Sequence, residues 1–136
     1  MTHTRQPTKE RPITLVLPIP PSVNHMYQRS YNGRVKLAPG ASIYPWILAA
    51  AIRDQIPDLE QSFTIRTPVG VRIELSHHNR AQCPDIDNIR KVLYDALSNV
   101  LHFDDAWIDE EHANKFIDTG LQPGIVVAIY SLATDI

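Results

Sequence analysis

Hydrophobic and polar residues follow two different periods along this chain, and each period predicts its own kind of element. Between residues 85 and 101 apolar side chains recur every third or fourth position, which predicts an amphipathic helix from residue 85 to about residue 100. Over residues 69–75 apolar side chains alternate with polar or small ones, which predicts a half-buried strand. Largely apolar runs at 13–17 and 125–130 are typical of further strands.

Turn and cap residues mark the elements between these runs. A turn at Asn32-Gly33 predicts a small hairpin over residues 26–37. Ser42 is a suitable cap for a helix that tolerates Pro45 in its first turn and that ends before Pro57.

Residues 107–117 predict one more strand, although their alternation is poor. The elements then follow the order strand, helix, strand, helix, strand, strand, which is typical of a small α/β (α+β) domain with a mixed β-sheet packed with two main helices. Residues 1–11 show no apolar periodicity, so we expect a disordered N-terminal tail followed by a single domain over residues 12–136.

The composition is that of an ordinary globular protein, with 43% hydrophobic and 21% charged residues in a chain of 136. The chain has no run of about 18 apolar residues, so we expect no membrane partner. The N-terminal residues lack the apolar region of a secretory signal. Cys83 is the only cysteine, so no internal disulfide can form, which fits a reducing cytoplasm.

Charge is distributed unevenly, although the net charge is only −2. Residues 85–111 carry eight acidic and two basic side chains, whereas residues 29–80 carry seven basic and four acidic ones. The weak negative sum argues against a protein that coats nucleic acid without selectivity. An acidic site framed by a basic surface suits a polyanionic substrate, and the alternative is that these charges are simply solvated. We interpret the acids at 109–111 as exposed residues of a strand or its edge.

Acidic side chains occur at both ends of the predicted second helix. Asp85 and Asp87 open it, and Asp104 and Asp105 follow its end. Carboxylates that are brought together repel one another unless a cation lies between them, and Mg²⁺ and Mn²⁺ prefer such oxygen ligands. If the next strand pairs near the start of the helix, Asp104 or Asp105 can complete a three-carboxylate metal site. The alternatives are an N-cap with a first-turn acid, and a polar turn.

Lys91 lies four residues after Asp87 and four before Asp95, on one polar stripe of this helix. It could place its ammonium group beside a phosphate oxygen, or it could form an ordinary ladder of ion pairs. His77 and His78 lie nearby in the sequence, but no spaced third histidine accompanies them. Contact with substrate or solvent is therefore favoured over metal binding for these two residues.

The motifs of the second helix and of the N-terminal segment resemble those of a known family. Asp85-Ile86-Asp87-Asn88-Ile89-Arg90-Lys91, followed by Asp95-Ala96-Leu97 and then Asp104-Asp105, resembles the RusA family of Holliday junction resolvases. The segment Leu17-Pro18-Ile19-Pro20-Pro21-Ser22-Val23-Asn24-His25-Met26-Tyr27 is similar to that family's Pro-Pro-Ser-x-Asn opening. The resemblance extends from about residue 13 to residue 130. Such proteins are often encoded by phages and prophages, so we expect the chain in a bacterial or phage-infected host cytoplasm.

The resemblance implies a homodimeric, Mg²⁺-dependent endonuclease that resolves four-way DNA junctions in recombination and repair by cutting them symmetrically, with Mn²⁺ as a substitute metal. Asp85 and Asp87 match the two motif aspartates, and Lys91 matches the catalytic lysine. Asp105 matches the third metal-site aspartate, with Asp104 beside it.

The mechanism expected from this resemblance uses Mg²⁺ held by Asp85, Asp87 and Asp105, which would lower the pKa of a water for in-line attack on phosphorus. Asp104 could take the proton, and Lys91 would offset charge on the phosphoryl oxygens. Residues that could contact DNA phosphates, sugars or an unstacked base are Asn24, Tyr27, Arg29, Arg34, Lys36, Arg80 and Lys115.

Three other functions remain compatible with these residues. The first is a non-catalytic, dimeric DNA-binding protein that keeps a vestigial metal site. The second is a metal-dependent nuclease that acts on flaps or other branched DNA. The third is a small-molecule phosphohydrolase, which would need no dimer.

Overall fold

The computed structural model describes residues 7–19, 27–29, 35–37, 43–56, 63–64 and 66–133 of the chain. Its elements in chain order are β1 (Ile13–Leu17), β2 (Tyr27–Arg29), β3 (Val35–Leu37), α1 (Tyr44–Gln55), β4 (Val69–His77), α2 (Ile86–Leu101), β5 (Ile108–Ile117) and β6 (Gly124–Ser131). A short 3₁₀ turn, Asp105–Trp107, precedes β5. The predicted fold class is confirmed, because the chain forms a small single domain of the α+β type, in which a mixed four-stranded sheet packs with two helices.

The four-stranded sheet has the strand order β1-β6-β4-β5. Strands β4 and β5 are parallel, whereas β6 runs antiparallel to both β1 and β4. Two parallel neighbours need a crossover connection, and α2 provides it between β4 and β5. The two short strands β2 and β3 pair with each other in a separate antiparallel sheet, as the hairpin prediction required.

The core lies between one face of the sheet and the two helices. The alternation in β4 buries Val71, Ile73 and Leu75, which face the apolar stripe of α2. Leu93 and Leu97 of that stripe are fully buried. The opposite face of the sheet carries exposed side chains, which is why β4 alternates so clearly in the sequence.

The first helix begins one residue later than expected. Ile43, not Ser42, occupies the N-cap position, and no side chain caps the helix. Pro45 lies in the first turn, where the missing N–H costs nothing. Ser42 itself and the hairpin turn at Asn32-Gly33 lie outside the described residues.

Residues 7–11 contact the sheet. The Ser131 N–H donates to the Pro7 carbonyl at 2.7 Å, and the Lys9 ammonium lies 3.0 Å from the Glu110 carboxylate. Arg72 donates from Nη2 to the Lys9 carbonyl at 3.2 Å. The rest of the expected tail, residues 1–6, lies outside the described residues, so disorder there stays a prediction. No helix among the described residues is long and apolar enough to cross a bilayer.

Candidate active site

Asp85 and Asp87 lie at the N-terminus of α2 with their carboxylates directed to solvent. Asp85 occupies the N-cap position, yet its side chain makes no capping hydrogen bond. Its backbone carbonyl alone accepts the first bonds, from Asn88 at 3.1 Å and Ile89 at 3.2 Å. The side chains are 72% exposed at Asp85 and 87% exposed at Asp87. Capping therefore does not account for the Asp85 carboxylate, and both carboxylates are exposed to solvent.

Two basic side chains from different elements lie beside these two carboxylates. Lys115 of β5 places Nζ 3.8 Å from Asp85 Oδ1. Arg90, one turn into α2, forms an ion pair with Asp87. The helix dipole adds partial positive charge at the same place. The two carboxylates thus form a negatively charged site that basic side chains of the protein contact.

Arg90 also contacts a third carboxylate. Its Nη2 lies 2.7 Å from Glu111 Oε1 on β5, so one guanidinium joins Asp87 to Glu111. Burial works against the charged form, but hydrogen bonding to Asp87 and the charge and hydrogen bonding of Glu111 outweigh it and raise the pKa of Arg90. Burial, together with the same Glu111 carboxylate, raises the pKa of Tyr94.

The sequence reasoning did not identify Arg90 and Glu111 as site residues. The spacing of three residues between Asp87 and Arg90 on a helix could have revealed their ion pair. Glu111 could not be found in this way, because its position depends on how β5 aligns with α2.

Asp104 and Asp105 lie at the other end of α2. The Oδ1 atom of Asp104 accepts a hydrogen bond from the Ala106 N–H at 2.9 Å, which caps the 3₁₀ turn. Asp105 is exposed. At 16 residues, α2 is about 24 Å long, and this length separates the Asp104–Asp105 turn from the Asp85–Asp87 pair.

The condition that the next strand pairs near the start of α2, which a three-carboxylate site within one chain requires, is not met by the first residues of β5. Because β5 is parallel to β4, α2 must carry the chain back to the end where β4 starts. The far end of β5 therefore reaches the start of α2, as the contact between Lys115 and Asp85 shows. In the part of the chain that the structure describes, no group of three or more His, Cys, Asp or Glu side chains could hold a metal ion. One chain thus brings Asp85 and Asp87 together but not Asp105.

Three further predicted residues lie at the Asp85 end of the domain. Arg80 is exposed in the turn after β4, and Lys115 lies on β5. Burial raises the pKa of the Cys83 thiol, while the charges of Lys115 and Arg80 lower it and that of Asp85 raises it. Lys91 is exposed on α2, four residues after Asp87. These basic side chains therefore lie at the same end of the domain as the acidic pair, which suits the binding of a polyanion.

The other DNA-contact candidates cannot be placed in the same way. Tyr27, Arg29 and Lys36 belong to the β2–β3 hairpin, but the structure describes only their backbone. Asn24 and Arg34 lie outside the described residues.

His77 is buried, and its Nδ1 accepts a hydrogen bond from the Asn79 N–H at 3.0 Å. Burial, with a smaller contribution from the charge of the stacked His78 ring, lowers the pKa of His77. Because Nδ1 accepts a hydrogen bond within a turn, a structural role is favoured over metal binding for His77.

A comparison with protein families gives one match. The family described as endodeoxyribonuclease RusA matches residues 18–130, which is most of the 136-residue chain. No curated protein is significantly similar to the chain. The matched range includes the acidic pair, Lys91, the Asp104–Asp105 turn and the four-stranded sheet except β1 and the last residue of β6. The chain therefore belongs to the RusA family of endodeoxyribonucleases, which are nucleases that resolve Holliday junctions.

Proposed function

We propose that this protein is a homodimeric endonuclease that uses Mg²⁺ to cut four-way DNA junctions symmetrically. The observation that carries the proposal is the exposed Asp85–Asp87 pair at the start of α2. The Asp85 side chain makes no capping hydrogen bond, and the pair lies beside Arg90 of α2 and Lys115 of β5. Family membership supplies the substrate class.

The acidic pair fits a hard divalent cation. Both side chains offer oxygen ligands to solvent, and Mg²⁺ keeps several waters and needs only one or two protein carboxylates. Mn²⁺ accepts the same ligands and would serve as a substitute. A bound Mg²⁺ would supply a Lewis acid for the phosphate and would lower the pKa of a water nucleophile.

The third aspartate requires a second chain. Asp105 is separated from Asp85 and Asp87 by the length of α2, so it cannot join them within one chain. A two-fold axis perpendicular to α2 would run the α2 helices of two chains in opposite directions, so the Asp104–Asp105 turn of one chain could approach the acidic pair of the other. A dimer would then hold two composite sites, which suits a four-way junction with its approximate two-fold symmetry.

The remaining groups have roles that their chemistry allows. Lys91 would place an ammonium group beside the phosphoryl oxygens and offset the charge that develops there. Asp104 would accept the proton of the attacking water. Arg80 and Lys115 would bind phosphates beside the cut, which positions the junction without reading its sequence.

Cleavage of a synthetic four-way junction with and without Mg²⁺ tests this function. Asp87→Asn should abolish cleavage while DNA binding persists, and Lys91→Ala should slow cleavage without weakening Mg²⁺ binding. Asp95→Asn is the matched control, because Asp95 is an exposed aspartate two turns further along α2 and should leave cleavage intact.

Retained cleavage by the Asp87→Asn variant would overturn the assignment of the site. Junction binding without any cleavage by the wild-type protein would instead favour a non-catalytic DNA-binding protein. Equal cutting of forks and junctions would favour a nuclease with broader specificity for branched DNA.

A further inference from the structure

Arg90 divides its guanidinium between two carboxylates of unequal exposure. One Nη1 hydrogen bond goes to Asp87, whose side chain is 87% exposed. Nη2 forms an ion pair with Glu111, whose side chain is only 31% exposed, and Arg90 itself is 32% exposed. An ion pair in the less solvated position is screened less by water and salt. The contact with Asp87 is therefore the more easily exchanged of the two.

The guanidinium has an unused donor on the Glu111 side. Arg90 Nε is buried and has no hydrogen-bond partner among the described residues. Nε and Nη2 lie on the same edge of a guanidinium, and that edge binds a carboxylate with two parallel hydrogen bonds. Of the two nitrogens on this edge, only Nη2 contacts Glu111 in the structure. If Arg90 released Asp87, Nε could complete a two-bond pair with Glu111.

We propose that Arg90 is a positioning residue that holds Asp87 in the metal-free protein and moves entirely onto Glu111 when a divalent cation binds Asp87. Glu111 is then the acceptor that makes this exchange favourable, and it binds Arg90 rather than the metal. This inference rests on the metal site of the proposed function. It adds that Arg90 of α2 and Glu111 of β5 together set the affinity of the site for its divalent cation.

The exchange predicts opposite effects for the two partners. Replacing Arg90 with glutamine removes a cation that competes for Asp87, so Mg²⁺ should bind more tightly. Replacing Glu111 with glutamine leaves Asp87 as the one anionic partner of Arg90 among the described residues, so Mg²⁺ should bind more weakly. One unit charge acting on a divalent ion at this range in water changes affinity by roughly three- to tenfold.

Mg²⁺ affinity, measured by calorimetry on the full-length protein, tests the exchange without recourse to activity. The variants are Arg90→Gln, Glu111→Gln and the double variant, with thermal unfolding to verify that each is folded. Arg53→Gln and Glu74→Gln are matched controls, since both residues are exposed and lie on α1 and on the open face of β4, respectively. Neither control should change the affinity by more than about twofold, because a distant surface charge is screened.

The double variant separates the exchange from direct metal binding by Glu111. If Glu111 acts mainly through Arg90, Glu111→Gln should weaken Mg²⁺ binding clearly more in the wild-type background than in the Arg90→Gln background, where only the loss of its own charge remains. An equal or larger loss in the Arg90→Gln background would overturn the exchange, because Glu111 would then act on the ion directly. Effects of the same sign for both single variants would also overturn it.

The NMR signal of the Arg90 Nε–H group gives a second measurement, assigned by its loss in the Arg90→Gln variant. Addition of Mg²⁺ should shift this signal as Nε gains a hydrogen bond, and an unchanged signal in a protein that binds Mg²⁺ would contradict the exchange. Asp87→Asn distinguishes this failure from that of the proposed function. If Asp87→Asn leaves the Mg²⁺ affinity unchanged, the assignment of the metal site is wrong. If Asp87→Asn abolishes Mg²⁺ binding but Mg²⁺ does not shift the Arg90 signal of the wild-type protein, only the exchange is wrong.

Discussion

Gly70 provides a test of how closely the sheet is packed. It lies in β4 directly opposite Tyr130 of β6, and the Tyr130 ring covers it. A Cβ added at Gly70 would lie 2.5 Å from Tyr130 Cζ, which is closer than real contacts allow. Tyr130 has no exposed surface, and its hydroxyl donates to Glu110 Oε2 at 2.5 Å. The ring cannot move aside without losing this hydrogen bond.

Gly70→Ala should therefore destabilise the fold. Overpacking of a buried position costs about 1–3 kcal/mol, and a weakened hydrogen bond adds about 1 kcal/mol. Replacing glycine stabilises by about 0.4–1 kcal/mol through the unfolded chain, so a net loss of about 2 kcal/mol is expected. With the usual entropy of unfolding per residue, this loss corresponds to a decrease in Tm of about 7 °C for a domain of this size.

Urea and thermal unfolding measure this loss, and Gly124→Ala is the matched control. Gly124 also lies in a strand of the same sheet, but a Cβ there would meet nothing within 4 Å. Gly124→Ala should leave the fold unchanged or stabilise it by up to about 1 kcal/mol, because only the contribution of the unfolded chain remains there. Equal stability of the two variants would refute the packing of Tyr130 over Gly70.

Two other predictions concern the edge strand and the dependence of stability on pH. Gln55 accepts a hydrogen bond from Val16 N at 2.8 Å and donates to Val16 O at 2.7 Å, so Gln55→Ala should cost about 1 kcal/mol in urea unfolding while the exposed neighbour control Asp54→Ala costs less. His77 has its pKa lowered by burial from the ordinary value of 6.5, so the unfolded chain takes up this proton at a higher pH than the folded protein does. Stability should therefore fall as pH decreases from 7 to 5, and His77→Gln should reduce this fall; an unchanged pH profile would contradict the buried neutral state.

The sequence predicted the second helix and β4 closely because each has a single apolar face. The apolar stripe of α2 extends over four turns, and its observed start at Ile86 lies one residue from the expected start. The poor alternation of residues 107–117 also has a physical cause. Strand β5 is at the edge of the sheet, it is mostly exposed, and its register with β4 shifts at its start.

The position of Asp105 relative to Asp85 could not be predicted from local patterns. A strand that follows a helix can pair in parallel or antiparallel fashion, and the apolar residues of β5 do not distinguish the two. Only the parallel pairing with β4 places Asp105 far from the acidic pair and Glu111 beside Arg90. The location of Asp85 and Asp87 at the start of the helix was predicted correctly, because their spacing belongs to one local element.

Hybrid dimers give the most direct test of the composite site. Two chains with different affinity tags are co-expressed, hybrids are isolated by tandem purification, and cleavage of a four-way junction is measured. A hybrid of Asp87→Asn with Asp105→Asn chains should cut one strand, because one of its two sites keeps both aspartates. A hybrid of a wild-type chain with a chain that carries both substitutions should be inactive, because each of its sites has lost one. The opposite result, with the first hybrid inactive and the second active, would contradict the account by showing that one chain forms a complete site.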